Sequence, residues 1–463
     1  MPPTPVIAIL DIGKTNKKLF LFDCSYNVVW EDSAVLPETK DEDGDNCEDL
    51  DLLNSWIRGS LMKPEQAGDI EIRAVNFSAY GASFVYIGEN EKPVTPLYSY
   101  LKSYPEKLKR QFYDQYGGEV TFSMLTASPV LGSLNSGMQL YRMKYEDPEK
   151  FSRIRYALHL PQYLSWLLTR KACSDISSIG CHTNLWNFSK NYYHEWVYRE
   201  AIIDKLAPIQ SSGMVYPLAN KNSIPGDCLA GIGLHDSSAA MIPYLENFSD
   251  PFVLISTGTW CISMNPFNGD PLTMDELQND CLCYLTYKGH PMKSSRLFAG
   301  HEHALQVERL SIYFQKARDY FHTLSFNPGI VNGLEIKNQT SLVNRPASLL
   351  TPSVFAEREI SGFQSFEEAY HRLVMDIMDQ QKDSTTRIMS GPVQNIFVDG
   401  GFGRNPIYMN LLAAAFPTIR VYAATLAQAS SIGAAMAIHD QWNENPVPKD
   451  VIELKNYPNL SAE

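Results

Sequence analysis

The chain has 463 residues, 44% hydrophobic and 20% charged, a composition that excludes disorder and a length that suits roughly two to four domains. Its formal net charge of −13 argues against nucleic acid and against anionic membrane surfaces as partners. An anionic nucleotide remains admissible, because a few local donors and a divalent cation can dominate a small pocket.

The opening residues lack a basic region, and the apolar run Val6 to Leu10 is too short for a signal peptide or a membrane span. The expectation is a soluble, cytoplasmic chain. The eight cysteines show no CxxC and no zinc-ligand spacing, which reads as reduced thiols. Cys281 and Cys283 are spaced to share one face of a strand.

Val6 to Leu10 predicts a strand buried on both faces. It runs into the polar turn Asp11-Ile12-Gly13-Lys14-Thr15-Asn16, and Leu19 to Phe22 resumes as a second strand. Gly13-Lys14-Thr15 is not a P-loop: position 8 is Ala8 where that motif needs glycine, and a strand follows instead of a helix. A phosphate-binding hairpin fits better. Backbone N–H groups from Gly13 onward, with Thr15 and Asn16, would face the phosphates. Lys14 or Lys18 would neutralise charge, and Asp11 would hold Mg²⁺ through water. An ordinary polar turn explains the same residues, so this motif does not decide alone.

Asp41, Asp43 and Asp45 have the spacing of a calcium loop, but Asn46 stands where the glycine belongs, which predicts a solvated loop ahead of a helix near 48–62. Strands are predicted at Ile72–Phe77 and Ser83–Ile87, with Tyr80-Gly81 between them, and a largely helical stretch over 136–170. The polar stretch Ser174 to Asn187, with Asp175 and His182, reads as a cleft lining or a surface loop. Gly233-Leu234-His235-Asp236-Ser237 leads into a small-residue helix. Asp236 is either an N-cap or an ionised, positioned carboxylate able to accept a hydroxyl proton. His235 is a substrate contact or a buried imidazole.

Near residue 245 the pattern restarts. The apolar run Phe252–Ile255, the turn Ser256-Thr257-Gly258-Thr259 and the apolar run from Trp260 to Met264 repeat strand, turn, strand, a cryptic duplication. Helices are predicted near 302–324, 366–389, 406–415 and 427–442, with a looser stretch at 326–352. Strand Asn395–Val398 leads to Asp399-Gly400-Gly401-Phe402-Gly403-Arg404-Asn405-Pro406, a glycine turn with proline in the first helical turn. His301-x-His303 has no third ligand nearby and reads as packing.

The ordered set of hairpin turn, acidic helix start, second hairpin turn and DGG turn resembles the FGGY family of carbohydrate kinases, within the actin and hexokinase ATPase superfamily. The likeness extends over nearly the whole chain. Gly258-Thr259-Trp260 and Asp399-Gly400-Gly401 with Asn405 carry it most specifically, and His235-Asp236 followed by a hydroxyl residue is most similar to the rhamnulokinase branch. The resemblance implies an α/β fold of two ribonuclease-H-like domains with a cleft between them. Residues 1–245 would hold the sugar site, the first phosphate motif and the base. Residues 246–463 would hold the second phosphate motif and the adenosine motif.

It also implies ATP and Mg²⁺ as cofactors, Asp11 in the first phosphate motif and at the metal, and Asp236 as general base. Thr257, Gly258 and Thr259 would form the second phosphate motif. Gly400, Gly401 and Asn405 would form the adenosine motif, with Asn410 where relatives often carry Gln. Tyr80, Gly81, His235, Asp236 and Ser237 would make up the substrate side. The implied substrate is a small-molecule ketose such as L-rhamnulose or L-fuculose, with xylulose, glycerol or another polyol as alternatives. A homodimer stays open. A non-catalytic actin-like nucleotide switch is the rival of another class, and Asp236 argues against it.

Three departures stand out. Tyr98-Ser99-Tyr100-Leu101-Lys102-Ser103 lacks the Asp and Arg of the relatives' aromatic-x-Asp-x-Arg sugar segment. Lys14 replaces a usual Thr. Gln428-Ala429-Ser430-Ser431 stands where an acidic residue is common.

Overall fold

The computed structural model describes residues 3–65, 70–220, 227–338, 353–426 and 428–458. It divides into two compact units. The first comprises Met1–Asn247, Cys283–Pro291 and Ala427–Val451, and the second Phe248–Leu282, Met292–Leu426 and Ile452–Glu463. This is less simple than a single boundary near residue 245, because two later segments pack with the first unit.

In the first unit, β1 (Thr4–Ile12), β2 (Lys17–Phe22) and β3 (Val28–Ala34) form an antiparallel meander. Parallel to β1 on its other side lies β4 (Ile70–Ala79), followed outward by β6 (Leu229–Gly231) and β5 (Val215–Pro217). The short β7 (Leu234–His235) pairs with the end of β4. Most of β1 is buried, as its continuous apolar run demands. The core joins Val6, Ala8, Leu10 and Ile12 to Leu19, Leu21, Val75 and Phe77.

In the second unit, β8 (Phe252–Thr257) and β9 (Cys261–Asn265) repeat the hairpin, with β10 (Pro291–Leu297) continuing it. On the other side of β8 come β11 (Asn395–Gly400) and β12 (Arg420–Thr425), both parallel, and then antiparallel β13 (Glu453–Tyr457). Each unit therefore sets an antiparallel hairpin beside a parallel central strand, with its polar turn at the strand ends.

Other differences from expectation are local. The stretch 136–170 is broken by strand Ile154–His159, which pairs with Phe84–Gly88. The segment expected to be loose at 326–352 opens with helix Pro328–Asn338, and 339–352 lies outside the described residues. Cys281 and Cys283 are buried on one strand, Cys281–Leu285. Among the described residues no helix is long and apolar enough to cross a membrane.

Within the first unit, helix Asp236–Asn247 crosses helix Ala429–Met436 at very short range. A Cβ on Gly433 would lie 1.8 Å from the Ala239 carbonyl oxygen. The buried Asn76 of β4 braces the same region. Its amide donates to the Ala434 carbonyl at 2.7 Å and its oxygen accepts the Gly233 N–H at 3.1 Å. Gly433→Ala forces backbone apart, so it is expected to lower the unfolding free energy by about 3 kcal/mol or more, the upper end for overpacking. Urea titration reads this directly, and an unchanged midpoint would contradict the close crossing.

Candidate active site

In the first unit, Asp11 lies near the end of β1, directly opposite Lys18 on β2, so the two side chains share a face. Its carboxylate accepts hydrogen bonds from Ser430 Oγ at 2.8 Å and Ser431 Oγ at 3.1 Å. Burial pushes the Asp11 carboxyl above the usual carboxylate range. The Ser430 hydroxyl pulls it back, and the charge of Asp236 adds repulsion. Two hydroxyl donors thus stand where an acidic residue would have faced Asp11.

The turn after Asp11 closes through Gly13 N–H to the Asn16 carbonyl at 3.0 Å, with Thr15 and Asn16 exposed. Lys17 organises it from below. It is 1% exposed, donates to the Gly13 and Lys14 carbonyls at 3.0 Å each, and pairs with buried Glu48 at 2.8 Å. Lys14 pairs with Glu38 at 2.6 Å, so its ammonium is already neutralised. Of the two lysines expected to meet phosphate, Lys18 is the one beside Asp11.

Asp236 is the first residue of its helix. Its Oδ1 accepts the Ser237 N–H at 2.6 Å and Ser237 Oγ at 3.3 Å, both one residue on, not the N–H groups two or three residues on that a cap would take. Among the described residues Oδ2 has no hydrogen-bond partner. The side chain is 37% exposed, yet burial around the carboxyl raises its pKa to about 6, opposed by the Ser237 N–H and hydroxyl. Desolvation is the largest influence, and a carboxyl with a pKa of about 6 is still mostly ionised at pH 7.

His235 is buried against Gly81. A Cβ on that glycine would lie 2.9 Å from His235 Cδ2. Burial lowers the imidazole pKa to about 4, so the ring is neutral at pH 7. Tyr80 is buried edge-on to Tyr100 with ring centroids 5.7 Å apart. Tyr80, Gly81, His235, Asp236 and Ser237 are therefore carried by one unit, at the ends of β4 and β7.

The segment that departs from the relatives is committed elsewhere. Lys102 Nζ reaches Asp41 at 2.5 Å, Asp43 at 2.8 Å and Asp45 at 3.2 Å, occupying the acidic loop as a cation would. Tyr98 donates its hydroxyl to Glu42. The stretch 174–187 is not a surface loop. Ser174, Asp175, Ser177, Cys181, Thr183 and Asn184 are all buried, and Asp175 accepts from Ser177 N–H at 2.9 Å and from Ser212 Oγ at 2.5 Å.

In the second unit, a cavity of about 250 Å³ is lined by Thr257, Gly258, Gly401, Asn405, His303 and Phe321, among others. Gly258, Gly300 and Gly401 contribute to its lining. A Cβ on Gly300 would lie 1.8 Å from the Gly258 carbonyl oxygen; next to Gly401, Gly400 has φ +90°, and a Cβ there would lie 2.0 Å from the Thr257 carbonyl oxygen. Thr257 Oγ1 donates to the Asp399 carbonyl at 2.6 Å and accepts the Phe402 N–H at 3.0 Å, which locks the two turns together. Gly258 and Thr259 stay exposed. Asn405 caps helix Pro406–Ala415 through the N–H groups of Ile407 and Tyr408 at 3.0 and 3.3 Å, and its amide donates to Tyr370. His301 stacks on Phe298, whereas His303 bonds to Tyr370 at 2.8 Å and packs on Phe402, so the two do not converge on a metal.

Residues 6–228 match the profile of the FGGY family of carbohydrate kinases, N-terminal domain, and residues 249–321 that of the carbohydrate kinase FGGY C-terminal domain. The chain belongs to the FGGY family of carbohydrate kinases. It is similar to a rhamnulokinase of Halalkalibacterium halodurans, 24% identical over 266 residues, 55% of this chain and 54% of that protein. The matched stretch spans about half the length of that relative. A crystal structure of a carbohydrate kinase from Novosphingobium aromaticivorans superposes with a TM-score of 0.80 at 22% identity, over 98% of this chain and 96% of that one. A ligand-bound xylulose kinase from Lactobacillus acidophilus gives 0.80 at 17% identity, over 99% and 94%. These two likenesses establish the fold.

Two groups of this FGGY chain were given no role by the sequence. Ser430 and Ser431 stood out there only as a departure, and they meet Asp11 from more than 400 positions away, a contact no local pattern encodes. Lys17 did carry a local signal: in β2 it is in phase with Leu19 and Leu21, which face the core. Lys17→Met leaves Glu48 buried and charged, with Lys14 no closer than 3.9 Å. The expected loss in unfolding free energy is about 3–5 kcal/mol. Chemical denaturation checks it, and a loss under about 1 kcal/mol, the level of a surface pair, would refute the buried pairing.

Proposed function

We propose that this chain transfers the γ-phosphoryl group of ATP to a hydroxyl of a neutral sugar or polyol, with Asp236 as general base. One observation carries this reading. Asp236 is a partly exposed carboxylate whose Oδ2 has no hydrogen-bond partner among the described residues, in the unit that also holds Gly81, His235 and Asp11. A carboxylate oriented by one oxygen and open at the other can orient a hydroxyl and take its proton as the oxygen attacks phosphorus.

The residues suit a metal nucleotide. Asp11 would hold Mg²⁺ through water, with Lys18 supplying a positive charge on the same face. Gly258 lets a phosphate approach the backbone closely, its own N–H being donated to the Trp260 carbonyl at 2.8 Å, exposed Thr259 offers its hydroxyl, and the glycine-lined cavity of the second unit is open to a flat base. Magnesium held there would supply charge neutralisation for the transferring phosphoryl group. The rhamnulokinase relative favours a 6-deoxyketose such as L-rhamnulose or L-fuculose as acceptor. A panel of ketoses and polyols assayed by ADP release tests the choice, and xylulose or glycerol as best substrate would displace it. Turnover with none of them would leave the nucleotide-switch reading.

Asp236→Asn is expected to lower kcat by roughly 10²–10⁴. The variant should also separate function from stability. A carboxyl with its folded pKa raised to about 6 contributes stability fully below its ordinary value and loses it as pH rises through 6. Asp236→Asn should therefore match or exceed the parent in denaturant midpoint above pH 6 and show no gain below pH 4. Full turnover in this variant would sink the base assignment. Asp11→Ala should abolish Mg²⁺-dependent turnover; an unaltered metal titration would remove Asp11 from that role.

A further inference from the structure

The second unit holds an imidazole whose proton is fixed by its neighbours. His303 lies on helix Ala299–Phe314, and the start of that helix is pressed against the second hairpin turn. Gly300 packs on the Gly258 carbonyl, and the His301 N–H donates to the Thr259 carbonyl at 3.1 Å. Three residues after Gly300, His303 shares its face of the helix and joins it in the wall of the glycine-lined cavity. Three rings hold the imidazole edge-to-face there. Their centroids lie 5.0 Å away for Phe321, 5.2 Å for Phe402 and 5.7 Å for Tyr370.

Proton counting sets the tautomer. Asn405 Oδ1 accepts the N–H groups of Ile407 and Tyr408. Its amide nitrogen is therefore the atom that faces Tyr370, and it donates to the phenol oxygen at 2.8 Å. The phenol has one proton of its own. Among the described residues its other hydrogen-bond neighbour is His303 Nε2, at 2.8 Å. Tyr370 is fully buried, and a buried hydroxyl proton without an acceptor is costly. The proton therefore goes to Nε2, which accepts it in a hydrogen bond. Burial lowers the imidazole pKa to about 4, with nearby His322 adding to the fall, so the ring is neutral at pH 7. A neutral ring that accepts at Nε2 carries its proton on Nδ1. That N–H has no acceptor among the described residues.

We propose that His303 recognises the nucleotide base: its Nδ1–H donates to an unprotonated ring nitrogen of adenine, with Tyr370 and Asn405 as the positioning residues that keep the proton on Nδ1. The proposal rests on this cavity being the site of the base. Phe321 and Phe402 also line the cavity and suit the face of any flat base, which selects little by itself. A directed N–H held in an aromatic wall is different. It rewards an acceptor at one ring position and is left unpaired by a base that lacks it.

The test is calorimetric binding of ADP and of its 1-deaza, 3-deaza and 7-deaza analogues to the full-length protein. Each analogue replaces one ring nitrogen by C–H. One of the three should bind roughly five- to tenfold more weakly than ADP, the value of one hydrogen bond, and the other two within about twofold. In His303→Leu that difference should vanish, whatever the variant does to ADP itself, because the comparison cancels effects common to all four nucleotides. The full penalty retained in His303→Leu, or no penalty for any analogue in the parent, overturns the proposal. ¹⁵N NMR of histidine-labelled protein without ligand reads the tautomer separately, with signals assigned from His303→Leu. The parent should show a protonated Nδ1 and a bare Nε2, and Tyr370→Phe should bring in the Nε2–H form. A parent protonated at Nε2 overturns the proposal, and so does Tyr370→Phe with the parent's tautomer alone. If His303→Leu fails to fold, the parent's spectrum and its analogue series decide. A parent that binds no ADP sinks the nucleotide reading and this inference with it, whereas binding without an analogue penalty sinks the role of His303 alone.

Discussion

The first unit depends on the contact between Gly433 and the Ala239 backbone. Only a residue without a side chain lets the two helices approach so closely. That approach brings Ser430 and Ser431 onto Asp11 at the end of β1, while the partner helix begins with Asp236. Two carboxylates near one another in poor solvent repel. The serine hydroxyls and the opposing Lys18 offset that repulsion at Asp11. An acidic side chain at the serine positions would have added to it. Ser430 and Ser431 thus ease the charge on Asp11 from the same helix that makes the close crossing.

Several polar residues that stand out in the motifs support the backbone. Thr257 joins two turns, Asn405 caps a helix, and Lys17 ties down the first hairpin. The physical reason is common to all three. Polar groups buried beneath a turn must be bonded internally, and the turn glycines obey the same rule: the N–H groups of Gly13, Gly258 and Gly401 are donated to the Asn16, Trp260 and Thr257 carbonyls. What stays exposed at the two hairpin turns is Thr15, Asn16, Gly258 and Thr259.

The proposed substrate side follows different rules. Lys102 is drawn into the three-aspartate loop, and Tyr98 into Glu42, so the segment 98–103 is held by its own charges. The wall near Gly81 is built from neutral groups: a buried imidazole, a thiol and aromatic rings.

The sequence by itself determined the strands, the two hairpin turns, the DGG turn and the helix start at Asp236, because each is a local pattern of apolar period and turn chemistry. It also determined the order of the motifs, which is enough to name the family. The tertiary structure decided which lysine is available, since pairing of Lys14 with Glu38 and Lys17 with Glu48 depends on residues 24 and 31 positions away. It decided that Asp236 is not a helix cap, that Asp41, Asp43 and Asp45 close on a lysine, and that 174–187 is interior. Above all it decided the protonation of the site. Desolvation and hydrogen bonding between distant segments set the carboxyl of Asp236 and the imidazole of His235, and no local spacing in the chain encodes either.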